Sequence, residues 1–150
     1  MKSRSMAVTI VFLAATGAAV SFAAPASQSV VDERVAGMKS LIGAMRGATG
    51  AGDPAEARAS LAPAIAYARS LPDRFPKGTG IGDPGISKTR AKQDIWTKPD
   101  AFKASSAAFL AALEAASAGA NDSAKFDAAM GDAKKSCSSC HDAFRGPATD

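Results

Sequence analysis

Apolar side chains recur along this chain at intervals of three and four residues in four separate segments. Val31, Arg34, Val35, Met38, Leu41, Ile42 and Met45 fall on one helical face, and the pattern stops in the glycines between 47 and 52. A second segment opens with Asp53-Pro54, an N-cap acid followed by proline at the first helical position. Its stripe is Ala57, Leu61, Ala64, Ile65, Ala68 and Leu71. Pro63 sits inside that stripe and, at about 3 kcal/mol in a regular helix interior, predicts a kink. The third segment restarts at Pro99, aligns Phe102, Ser106, Phe109, Leu113 and Ala116, and ends at Gly119. The fourth opens with Asp122 as N-cap, runs through Phe126, Ala129, Met130, Ala133, Cys137, Cys140, His141 and Phe144, and closes at Gly146-Pro147.

Between the second and third segments, Pro72, Pro76, Gly78, Gly80, Gly82, Pro84 and Gly85 forbid a regular element and predict a long crossing loop. A short helical stretch from Lys88 to Trp96 is expected to lead into the third helix. No run of strict apolar and polar alternation bounded by hairpin turns is present, and there is no internal repeat. Four amphipathic helices in one domain predict an all-α fold, an antiparallel four-helix bundle.

Composition adds a constraint. The 150 residues are 47% hydrophobic, but 36 of them are alanine. Alanine favours helices that pack closely, yet it buries little area, and burial yields only about 25 cal/mol per Å². The core therefore looks underfilled, with small residues that leave room for something bulkier. Aromatic residues at 6% and only two cysteines exclude a disulfide-dense scaffold.

The sequence pI of 9.3 suggests an anionic partner until the N-terminus is considered. Residues 1–23 have the form of a secretory signal: Lys2 and Arg4 precede an apolar run from Ala7 to Val20, and Ser21-Phe22-Ala23 offers small residues for cleavage. A spanning helix needs about 20 apolar residues, so this run is too short for an anchor, and no membrane insertion is expected after cleavage. Residues 24–150 then form the mature domain. Loss of Lys2 and Arg4 leaves 16 basic against 14 acidic side chains, a formal charge of +2. The basic residues are scattered, which excludes a nucleic-acid footprint. Export implies the periplasm, an oxidising compartment where two thiols must be bonded to something.

Ser136-Cys137-Ser138-Ser139-Cys140-His141 contains Cys-x-x-Cys-His, the signature of covalent haem attachment. Three residues are close to one helical turn, so both sulfurs share a face and can each add to one haem vinyl group. His141 then sits where an imidazole nitrogen can reach the iron. A thioredoxin-like redox pair would follow a strand, and none is predicted. A zinc site would need a fourth ligand, but this is the chain's one histidine and these are its two cysteines. A plain disulfide leaves His141 unexplained.

With these residues in place the chain resembles the cytochrome c′ family, specifically its low-spin, methionine-ligated branch of the cytochrome c-556 type. The likeness spans about residues 28 to 146. It rests on Cys137, Cys140 and His141 near the C-terminus, Arg34-x-x-x-Met38 on the first helix, Ile95-Trp96 followed by Phe102, and Arg145 four residues after the histidine. The resemblance implies one covalently attached haem c with His141 and Met38 as axial ligands of the iron. It also implies an Arg34 contact to a haem propionate, against a solvated rim position as the alternative. Arg145 would screen a propionate or tune the imidazole. Trp96 and Phe102 are expected in the core or at the porphyrin edge, and Met45, Phe126, Met130 and Phe144 in the bundle core.

The function expected is a periplasmic single-electron carrier that serves redox partner proteins, with no catalysis, because no distal acid or base is evident. A thioether would favour the ferrous state and close the site to gases. The alternative is a five-coordinate protein that binds nitric oxide or carbon monoxide. A homodimer is compatible with the family pattern.

Overall fold

The computed structural model describes residues 27–147, so the signal segment lies outside the described residues. Helix α1 spans Gln28–Thr49, α2 Pro54–Arg69, α3 Asp94–Thr97, α4 Pro99–Gly119 and α5 Ser123–Phe144. The four long helices form the bundle, and no strand occurs among the described residues. Short links join α1 to α2 and α4 to α5, which makes each pair antiparallel neighbours. The crossing loop after α2 stays at one end of the bundle, beside the start of α1 and the end of α5.

Local chemistry explains the boundaries. Asp53 Oδ1 accepts from the amides of Ala55 at 2.7 Å and Glu56 at 2.9 Å, with Pro54 opening α2. Asp122 caps α5 through the Lys125 amide at 3.2 Å. The helix α2 continues through Pro63 without a break. Pro63 and the residue one turn earlier, Ala59, are both exposed, so water can satisfy the carbonyl that proline leaves without a partner.

Two expectations change. Residues 88–93 are not helical. Ala91 instead pairs with Arg145 in an isolated bridge, and only Asp94–Thr97 form a helical turn. The apolar face of α1 also divides. Val31, Leu41, Met45 and Ala48 enter the bundle core, whereas Val35 and Ile42 stay 42% and 50% exposed.

The main core is built from Leu41, Met45, Leu61, Phe109, Leu113 and Met130, with seven buried alanines between them, and Phe126 packs against it part-buried. Small side chains let α1, α2, α4 and α5 approach here. A second cluster of Ala91, Ile95, Phe102 and Phe144 sits under the crossing loop, with Phe75, Trp96 and Cys140 against it. The extended helix contacts run α1 to α2, α2 to α4 and α4 to α5. At the end that carries the loop, a cavity lies between α1 and α5.

Candidate haem site

This cavity, about 350 Å³, brings together residues far apart in sequence. Val35, Met38 and Ile42 of α1 line one side and Cys140, His141 and Phe144 of α5 the other. Phe102 and Ile95 line it as well. Its aromatic wall is ordered by edge-on packing: Phe75 meets Phe102 at a centroid distance of 4.9 Å, and Phe102 meets Phe144 at 5.3 Å. The alanines that seemed to make room for a large group are mostly elsewhere. Ala91 is the one alanine in the lining, and the hollow arises because α1 and α5 are held apart.

Cys137 and Cys140 are one turn apart on α5, both half-buried and not joined to each other. Cys140 lines the cavity, while Cys137 packs against the main core. Burial pushes both thiols above their ordinary range, and the neighbouring Cys137 adds to the rise at Cys140. A redox pair needs the opposite shift, toward thiolate, which a position in the last two turns of a helix does not supply. Among the described residues no cluster of three or more His, Cys, Asp or Glu exists, which leaves no zinc set.

His141 lies one residue beyond Cys140 and also lines the cavity. Desolvation lowers its pKa first, and the positive charges of Arg145 and Arg90 add to that, against Asp142. The shift favours the neutral imidazole, the form that binds a metal. The end of α5 is fixed by the crossing loop. Lys92 donates its amide to Phe144 O at 2.9 Å, Gly146 its amide to Arg90 O at 2.7 Å, and Arg90 its Nε–H to Gly146 O at 2.8 Å.

Arg34 is no solvated rim residue, because only 5% of it is exposed. Its Nη1 donates to Thr79 Oγ1 at 3.1 Å and Arg74 O at 3.4 Å. Its Nη2 donates to Thr79 O and Thr89 Oγ1, each at 3.1 Å. The guanidinium also stacks on Phe75, 4.3 Å from the ring centroid. Arg34 therefore pins the crossing loop to α1 one turn before Met38, and a propionate contact would draw on donors already committed to that loop. Tyr67 fixes the same stretch, donating to Arg34 O at 3.0 Å and lying so close to Gly37 that a Cβ there would overlap its ring.

Arg145 is exposed at the cavity mouth. Trp96 does not line the cavity. Its Nε1 donates to Phe75 O at 2.8 Å and its ring closes over Gly80. Lys88, Thr89, Arg90 and Ala91 complete the lining from the loop. Periodicity could not find them, since a proline- and glycine-rich loop carries no helical repeat.

The pieces fit a haem. Cys140 and His141 border an apolar hollow, with Cys137 one turn before Cys140 against the main core, and the two exposed large apolar side chains among the described residues, Val35 and Ile42, both face it. Comparison with known proteins agrees. Residues 26–145 match the family model described as Cytochrome C'. A cytochrome c' of Pararhodospirillum photometricum is 42% identical over 84 residues, which cover 53% of this chain and 62% of that protein. A cytochrome c-554 of Cereibacter sphaeroides is 38% identical over 97 residues, covering 63% and 67%. The chain thus spans under two thirds of the first relative's length. The solved cytochrome c' from Rhodobacter spheriodes superposes with a TM-score of 0.67 at 28% identity, covering 79% of this chain and 95% of that one.

Proposed function

The chain belongs to the cytochrome c′ family, whose members carry one covalent haem c, and from that footing we propose a haem protein whose distal face receives a small gas, nitric oxide or carbon monoxide. Cys137 and Cys140 would hold the haem through thioethers, with His141 as the proximal ligand. The haem supplies an iron that cycles between two oxidation states and has a ligand position on each side. The observation that carries the reading is the cavity itself: His141 faces Val35, Met38 and Ile42 across an apolar space whose lining contains no acidic side chain. These apolar side chains offer a gas no proton, which suits reversible binding rather than turnover. Two solved structures of this fold are nitric oxide complexes of leucine-substituted mutants of a cytochrome c prime from Alcaligenes xylosoxidans.

A second reading has its own support. Met38 lines the same cavity as His141, which supports a reading in which its thioether would be the sixth ligand of a low-spin electron carrier. The relatives also include a cytochrome c-554 beside the cytochromes c'. Absorption spectra of the haem-loaded protein separate the two. A high-spin ferric spectrum and fast carbon monoxide binding support the gas reading. A low-spin spectrum with a far-red methionine band and no gas uptake replaces it with the carrier. Met38→Ala then gives fast gas binding in either case. Mass spectrometry tests the premise, since attached haem adds its mass and removes both thiols.

A periplasmic site of action and cleavage after Ala23 belong to this proposal. Among the described residues no helix is long and apolar enough to cross a membrane. A homodimer also fits, since one solved cytochrome c' of this fold shows ligand-controlled dimer dissociation.

A further inference from the structure

Between Val31 and Leu41, helix α1 runs between two hollows. Met38 lines the cavity that α5 borders, whereas Gly37 and Ser40 line a second cleft, about 260 Å³, reached by Pro63 and Tyr67 of α2. Arg34 is the one buried side chain of α1 in this interval, and its guanidinium is spent on the crossing loop. A helical segment with so little packing on either side is free to shift sideways unless another group fixes it.

That group is Tyr67. Its hydroxyl donates to Arg34 O at 3.0 Å, and its ring lies on α1 at Gly37, where a Cβ would overlap it. Gly43 and Gly47, the other glycines before the last turn of α1, have room for a Cβ. Glycine inside a helix is less stable than alanine, and of the three only Gly37 makes a close approach that requires it. Arg74 stacks on the Tyr67 ring, 4.4 Å from its centroid, and donates its Nε–H to Ser70 Oγ at 2.9 Å, which braces the ring. Arg34 O is also the carbonyl that accepts the Met38 amide in a regular helix. One oxygen thus joins Tyr67 to the backbone of Met38.

We infer that Tyr67 is a positioning residue for the distal side of the haem: braced against Gly37, it sets how far α1 carries Met38 toward the cavity. The inference rests on the haem reading above, and it holds whether Met38 ligates the iron or only crowds an incoming gas. Without the ring the cleft between α1 and α2 enlarges, and α1 can settle into it and draw Met38 back from the cavity. Tyr67 does not line that cavity, so its effect on a gas passes through α1.

The test compares the haem-loaded full chain with Tyr67→Phe and Tyr67→Ala, each made also in a Met38→Ala background. Mass spectrometry checks haem attachment, and absorption follows carbon monoxide association with the ferrous proteins. Tyr67→Ala should speed association at least about tenfold where Met38 is present and less than about twofold where it is replaced. Tyr67→Phe keeps the ring on Gly37 but loses the bond to Arg34 O, and should give about a threefold gain that Met38→Ala abolishes. This variant carries the test if Tyr67→Ala fails to load haem. Where the parent takes up no carbon monoxide, the expected result is uptake gained by the Tyr67 variants. Amide hydrogen exchange in the loaded Tyr67→Ala protein should rise at least about tenfold at residues 36–40 while α4 stays protected. Unchanged gas uptake, equal acceleration with and without Met38, or unchanged exchange at residues 36–40 would overturn the positioning role. A parent chain with no attached haem would instead remove the haem reading, and this inference with it.

Discussion

The same four helices build two unlike regions. Away from the crossing loop, alanines separate Leu61, Leu113 and Met130, and the helices close on one another. At the loop end Phe75, Phe102, Phe144 and Ile95 stand beside a hollow. The contrast inverts a simple expectation, because small side chains close the bundle and large ones border its opening. Small residues remove the need for spacing, whereas bulky residues anchored by a loop keep α1 and α5 apart. The first region closes the bundle, and the second borders the cavity proposed for the haem.

Substitution at matched buried sites should break that comparison most sharply. Phe102→Ala, at the loop end, should cost about 3–5 kcal/mol in denaturant unfolding and also perturb the haem absorption spectrum, because the ring supports both Phe75 and Phe144. Leu113→Ala, fully buried in the closed region, should cost about 2–5 kcal/mol and leave that spectrum unchanged. Equal spectral effects would show that the regions are not separable.

The junction of the regions comes next. Arg34→Met should cost about 2–3 kcal/mol, because the hydroxyls of Thr79 and Thr89 and the Thr79 carbonyl lose a charged partner. Hydrogen exchange should rise across residues 72–93 while α4 stays protected. Arg34→Lys should not rescue it, since an ammonium cannot reproduce the planar fork. Gly37→Ala should cost about 1–3 kcal/mol by forcing the Tyr67 ring aside, with a change in the haem spectrum because Met38 is the next residue.

The smallest effect is a pH dependence. Desolvation raises the Tyr67 pKa, against the charges of Arg74 and Arg34. A raised folded value favours the neutral phenol in the native state. Its contribution is therefore complete below the unfolded value of about 10 and is lost as pH rises through the higher folded value. Denaturant midpoints across that window should fall in the wild type, and Tyr67→Phe should flatten the slope.

Much of this protein was legible in its residues. The Phe102, Ser106, Phe109, Leu113 and Ala116 stripe is buried as the spacing predicts, Asp53 and Asp122 cap their helices, and Cys140 and His141 reach the cavity. These features are local, set by helical geometry and capping chemistry within a few positions. The separation of Val35 and Ile42 from Leu41 and Met45 was not legible, because one apolar stripe does not say which part meets a helix and which a hollow.

Sequence by itself determined the four helices, their caps and the attachment motif, because each depends on neighbours within a turn or two. Tertiary structure alone decided that Lys88, Thr89, Arg90 and Ala91 of the crossing loop line the cavity, and that Arg34 spends its charge on Thr79 and Thr89, 45 and 55 residues away. It also decided that five basic side chains and no acidic one line the cavity. Such relations arise only when the crossing loop is pinned across the helix ends, and no periodicity in the chain encodes where a loop of that length will lie.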